Sequence, residues 1–176
     1  MFFAIVSREE AEWILQNKPK DKLAQIILIS IINPSKIKKR VNKNNNNIVD
    51  SNFKPLDENL LNKVHDHLTV SFWDLEEPFL QYRPISEKEA MKIAAFIFKH
   101  KNKIGNGYRL LIHCSAGKSR SAGVGLAAKC IVKHNGDKMA FSLYPCDIYK
   151  ISRYSPNLKV FNEVVKAFNK LKGFKK

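Results

Sequence analysis

No apolar run in the 176 residues approaches the roughly 20 that a membrane-spanning helix requires. The longest, such as Gln25–Ile32, fall far short, so no transmembrane segment is expected. Phe2–Val6 lacks a basic flank and is too short for the apolar region of a secretory leader, which predicts an intracellular, cytoplasmic chain. Cysteine is scarce. Cys114, Cys130 and Cys146 form neither a paired framework nor a metal-ligand spacing, which suits a reducing compartment and no bound metal. Acidic side chains nearly vanish from the second half: residues 99–176 hold 3 against 17 basic ones, while residues 1–98 hold 13 against 14. The net charge is +15, and its uneven distribution predicts an electropositive surface that attracts anions. The length suits one α/β-sized core and is short for two, so residues 1–176 are expected to form a single domain.

The apolar patterning supplies the elements. Phe2–Val6 has strand length and runs into Ser7 with Glu10 three residues on, a capping box for a helix over about 8–17. Ile26–Ile32 is a β-branched run without alternation, as in a strand buried on both faces, and Pro34 stops it. Residues 35–59 are basic and then asparagine-rich, and read as a long mobile loop inserted in the domain. Within it Lys36–Lys43 is a solvated charge run, or, alternatively, a contact for RNA or acidic lipid. His65–Phe72 reads as a strand with Leu68, Val70 and Phe72 on one side, followed by an acidic loop at Asp74–Glu77. Ser86 and Glu89 repeat the capping box and open an amphipathic helix to about Lys99. Asn106-Gly107 turns the chain into a strand at Arg109–His113. Ala122–Val132, apolar nearly all round, predicts a central buried helix, and a last helix is expected from Pro156 to Leu171 with Pro in its first turn. Alternating strands and helices predict an α/β fold, a mostly parallel sheet flanked by helices on both faces.

His113-Cys114-Ser115-Ala116-Gly117-Lys118-Ser119-Arg120-Ser121 lies between the fourth strand and the central helix, where ligands of open α/β sheets bind. Five residues between Cys114 and Arg120 suffice for a tight loop whose amides converge on one anion, with the helix dipole behind it. The same field stabilises a thiolate nucleophile. Arg120 would close on two anion oxygens as a bidentate clamp. Gly117-Lys118-Ser119 also echoes a nucleotide-binding loop, but that motif needs a glycine at position 112, which is Ile.

His-Cys-x-x-Gly-x-x-Arg-Ser resembles the signature of the cysteine-based protein tyrosine phosphatases, and the length is similar to their small dual-specificity branch. Phe72-Trp73-Asp74 and Pro156-Asn157 resemble segments of small bacterial and phage members of the phosphotyrosine phosphatase II type. The resemblance spans about His65–Phe168. It implies a phosphomonoester hydrolase for phosphotyrosine, phosphoserine and phosphothreonine in proteins, working without metal or other cofactor, in the cytoplasm or in the host cytosol of a viral or exported protein. It further implies that Cys114 forms a phosphocysteine, that Arg120 binds the phosphoryl group with the 115–119 amides, that Ser121 assists the thiolate, and that His113 is structural. Asp74 is the expected general acid, 40 residues before Cys114, with Glu76, Glu77 and Asp66 in reserve. Lys118 replaces the apolar residue expected there and resembles the loop of tensin-type phosphoinositide phosphatases, so a highly anionic non-protein substrate, phosphoinositide or RNA 5′-phosphate, is the alternative. A silent phosphate-binding module is a third reading. Cys130 is expected in the core rather than as a resolving thiol, and Trp73 and Tyr82 either rim the cleft or pack.

Overall fold

The computed structural model describes residues 3–34, 54–142 and 153–173. Lys36–Lys43 and Cys146 lie outside these ranges.

Four parallel strands, β1 (Phe3–Val6), β2 (Ile26–Ile32), β3 (Asp66–Ser71) and β4 (Arg109–His113), form one sheet in the order β1-β4-β2-β3. Alternation along the strands divides the core in two. Ile27, Ile29 and Ile31 of β2 and Leu110 and Ile112 of β4 join the larger cluster, which also contains Phe72, Ile93, Ile97, Val164 and Phe168. Ile26, Leu28 and Leu111 point the other way and bury Ala11, Leu15, Leu23 and Leu61. The uninterrupted apolar run of β2 is thus explained by helices on both faces, as the sequence implied.

On the smaller face lie α1 (Arg8–Asn17), α2 (Lys20–Leu23) and α3 (Glu58–Leu61); on the larger lie α4 (Glu87–His100), α5 (Arg120–His134) and α7 (Leu158–Gly173), with the short α6 (Lys138–Ser142) following α5. Both expected capping boxes close, Ser7 with Glu10 and Ser86 with Glu89. Helix α5 is buried along most of its length and carries only small residues at Ala122, Gly123 and Gly125, which lets neighbouring elements approach closely.

Three boundaries differ from expectation. The last helix begins at Leu158: Asn157, whose Oδ1 accepts from the Val160 amide at 3.0 Å, takes the cap, and Pro156 stands before it. Helix α5 starts two residues earlier than its apolar stretch, because Arg120 and Ser121 turn inward. The expected loop over 35–59 ends in structure: Asp57 caps α3, and the Arg8 guanidinium holds the carbonyls of Lys54 at 2.7 Å and Pro55 at 3.2 Å.

Candidate active site

The C-terminal ends of all four strands meet the 114–120 loop. β4 runs directly into Cys114, which is 3% exposed, with its Sγ 3.1 Å from the Ser121 Oγ. Gly117 has φ +68°, and a Cβ there would come within 2.4 Å of the Val6 carbonyl carbon and the Ser7 amide nitrogen. Only glycine permits both that backbone and that approach to the end of β1.

The loop's carbonyls are taken up by its surroundings. Ser115 O accepts from the Arg8 amide at 3.2 Å, Lys118 O from Ser155 at 3.0 Å, and Ser119 O from Asn157 at 3.2 Å and Gly123 at 2.8 Å. In a planar trans peptide the N–H points opposite to the C=O. The amides of Ala116, Ser119 and Arg120 are therefore turned away from the scaffold, toward the open side of the loop, where an anion can accept from them.

Arg120 is 4% exposed and fixed at three points: Nη1 donates to Phe72 O at 2.9 Å and Ile32 O at 3.4 Å, and Nη2 donates to Ser115 Oγ at 3.1 Å. Its buried Nε has no protein acceptor among the described residues, so the guanidinium keeps donor capacity for an incoming anion. The carbonyls it grips end β2 and follow β3, which ties the clamp to the sheet.

Asp74 reaches the same loop. Its Oδ1 accepts from Ser119 Oγ at 2.8 Å and from Asn157 Nδ2 at 3.0 Å, while its side chain remains exposed. The reserve carboxylates do not share this place. Glu76 accepts from the Leu158 amide at 3.3 Å and so supports the start of α7, and Glu77 is exposed. Asp66 sits at the opposite edge of the sheet. Although burial pulls the other way, hydrogen bonds from Lys99 (2.7 Å) and His100 (2.9 Å) hold its carboxyl down to about 2.

His113 is register partner to Ser30 across β4 and β2, and its Nε2 lies 2.8 Å from the Ser30 hydroxyl. Burial first, then the positive charges of Arg8 and Arg120, push the imidazole down to about 4. It is neutral at ordinary pH and braces the strand under the loop. Arg8 and Ser30 were not singled out from sequence. Each looks ordinary alone, and only their placement beneath the loop reveals them. Cys130 is buried in the larger cluster, and burial pushes its thiol up to about 11, a core residue as expected. Trp73 and Tyr82 pack edge to face with ring centroids 4.8 Å apart. Lys118 and Ala116 are exposed on the loop.

No protein-family model and no curated protein matches the chain by sequence. Solved structures do match in shape. PTPMT1 in complex with PI(5)P aligns with a TM-score of 0.53 at 15% identity, over 98% of this chain and 92% of that one. The Yvh1 phosphatase domain from Chaetomium thermophilum gives 0.55 at 15% identity, over 97% and 92%. Tk-PTP in its active form gives 0.51 at 12% identity, over 95% and 90%. The likeness is one of fold: this chain has the protein tyrosine phosphatase-like fold.

Proposed function

We propose that the chain is a phosphomonoester hydrolase of the Cys-x5-Arg type that acts on phosphotyrosine, and on phosphoserine and phosphothreonine, in proteins. The observation that carries this reading is the convergence of three groups on one seven-residue loop. Cys114 lies at its base, Arg120 is locked across it through Ser115, and Asp74 is bonded to its Ser119. A buried thiol, a fixed guanidinium and a carboxylic acid on an anion-receptive loop are the parts that phosphoryl transfer through a covalent intermediate needs.

In the first step the Cys114 thiolate attacks phosphorus, an S–P bond forms, and the P–O bond to the leaving group breaks as Asp74 delivers its proton to that oxygen. The outward-turned amides and Arg120 hold the three remaining oxygens as charge redistributes. In the second step Asp74, now ionised, takes a proton from water, which attacks phosphorus. The S–P bond breaks, and the Ser121 hydroxyl, 3.1 Å from the sulfur, donates to the returning thiolate.

A second reading, a highly anionic non-protein phosphate, is favoured by the exposed Lys118 on the loop and the basic second half of the chain. One fold neighbour is described in complex with PI(5)P. No helix among the described residues is long and apolar enough to cross a membrane. We assign the activity to the cytoplasm on the strength of the scarce cysteines, which suit a reducing compartment.

The test is hydrolysis of p-nitrophenyl phosphate in the presence of a chelator, with and without vanadate. Chelator-resistant, vanadate-blocked turnover lost in Cys114→Ser supports the reading; turnover that survives that substitution refutes the nucleophile. Absence of any turnover would return the chain to a phosphate-binding role.

A further inference from the structure

The Asp74 carboxylate is asymmetrically bound. Both of its described side-chain partners, Ser119 Oγ at 2.8 Å and Asn157 Nδ2 at 3.0 Å, address Oδ1. The orientation of the Asn157 amide is fixed independently: its Oδ1 accepts from the Val160 backbone N–H at 3.0 Å, so its NH2 must face Asp74 and the Leu75 carbonyl, to which it also donates at 3.3 Å. Asn157 is 5% exposed, so this geometry is held by packing. Ser119 is equally committed. It occupies the cap position of α5, where serine ordinarily accepts from a helix amide, yet makes no such bond and turns its hydroxyl to Asp74.

We propose that Asn157 and Ser119 are a positioning pair that saturates Oδ1 of Asp74 and thereby confines the transferable proton to Oδ2. The proposal rests on Asp74 being the general acid. An oxygen that already accepts two hydrogen bonds is the poorer site for a proton, so protonation falls on its partner, and the clamped carboxyl cannot rotate to exchange them. Charged groups on the surrounding elements are Arg120 on α5, Lys118 on the loop, Glu76 and Glu77 on Asp74's own segment, and Lys159 on α7, which lies 4.0 Å from Glu163. Neither member of the pair carries charge, so Asn157→Ser and Ser119→Ala each remove a partner of Oδ1 without altering that field, whereas Asn157→Asp adds a carboxylate.

Two substitutions separate positioning from mere helix capping. In Asn157→Asp the Oδ1 acceptor for Val160 is retained, but a carboxylate replaces the donor facing Asp74. In Asn157→Ser the hydroxyl still caps α7 but is too short to reach Asp74. The readout is kcat and KM, each for phenyl phosphate, a poor leaving group, and p-nitrophenyl phosphate, a good one. Both variants should lose about tenfold more in kcat on phenyl phosphate than on p-nitrophenyl phosphate, with KM for each little changed. Ser119→Ala should change the leaving-group ratio in the same direction. Should the buried carboxylate of Asn157→Asp prevent folding, Asn157→Ser and Ser119→Ala carry the test. Folded variants with the wild-type leaving-group ratio overturn the pair while leaving Asp74 as the acid. Asp74→Ala losing equally on both substrates would overturn the acid assignment itself, and the pair with it.

Discussion

His113 shows how a residue in the signature can serve the fold rather than the chemistry. Its imidazole is held at about 4, well below the ordinary 6.5, by burial and by the charges of Arg8 and Arg120. Between those two values the unfolded chain takes up a proton that the native chain refuses. Stability therefore falls as pH drops from 6.5 toward 4, by about 3 kcal/mol over the whole window, and this contribution is complete above 6.5. Asp66, held at about 2, acts in a separate window: its stabilisation is present above 3.8 and lost as pH falls toward 2. We expect urea unfolding at pH 7.5 and pH 4.5 to show a loss of stability in the wild type that His113→Gln largely removes. Equal acid losses in both proteins would contradict a buried neutral imidazole. At this scale the sequence alone singled out Cys114, Arg120, Ser121 and Asp74, which the structure brings together at the loop, because the loop motif and the Phe-x-Asp segment are local strings. Arg8 and Ser30 lie more than 80 residues from the loop that they support and carry no such mark.

Two glycines decide how closely elements approach the site. At Gly117 both the positive φ and the 2.4 Å approach to the backbone of Val6 and Ser7 forbid a side chain. A Cβ on Gly123 would meet the Asn157 carbonyl at 2.5 Å and the Val160 Cβ at 3.1 Å, forcing α5 from the start of α7 where Asp74 is anchored. Gly117→Ala should cost more than about 2 kcal/mol and abolish turnover, and Gly123→Ala should cost about 1–3 kcal/mol and reduce turnover on poor leaving groups. Gly173→Ala, at the end of α7 with nothing within 4 Å, should leave stability unchanged or slightly raised. Thermal midpoints and phenyl phosphate assays across the three check this; a Gly123→Ala protein that behaves like Gly173→Ala would contradict the close α5–α7 contact. Elements defined by local rules were legible: the two capping boxes and the β-branched β2 depend on neighbours a few residues apart. The start of α7 was not, because its cap is Asn157, whose other bonds go to Asp74 and Leu75 more than 80 residues away.

Across the whole molecule the sheet separates two jobs. Its C-terminal edge gathers Cys114, Arg120 and Asp74, while its N-terminal edge is pinned by Asp66 with Lys99 and His100. The strand order itself was beyond the sequence, since parallel pairing is set by contacts distant along the chain; the layering of helices on both faces was legible because β2 shows no alternation. A net charge of +15 should draw anionic substrates to the basic surface, so kcat/KM should fall as salt rises, more steeply for multiply charged phosphates than for p-nitrophenyl phosphate. If Lys118 selects such substrates, Lys118→Ala should lower turnover of phosphoinositide vesicles more than that of phosphopeptides, and equal losses would remove the argument for a non-protein substrate. The central claim is that phosphorus is passed to the sulfur of Cys114. Acid quenching of the Asp74→Ala protein during turnover of p-nitrophenyl phosphate, followed by peptide mass spectrometry, tests it directly. The account predicts a phosphoryl group on Cys114 that is absent from Cys114→Ser; a phosphoryl group on another residue, or turnover with none on Cys114, would contradict it.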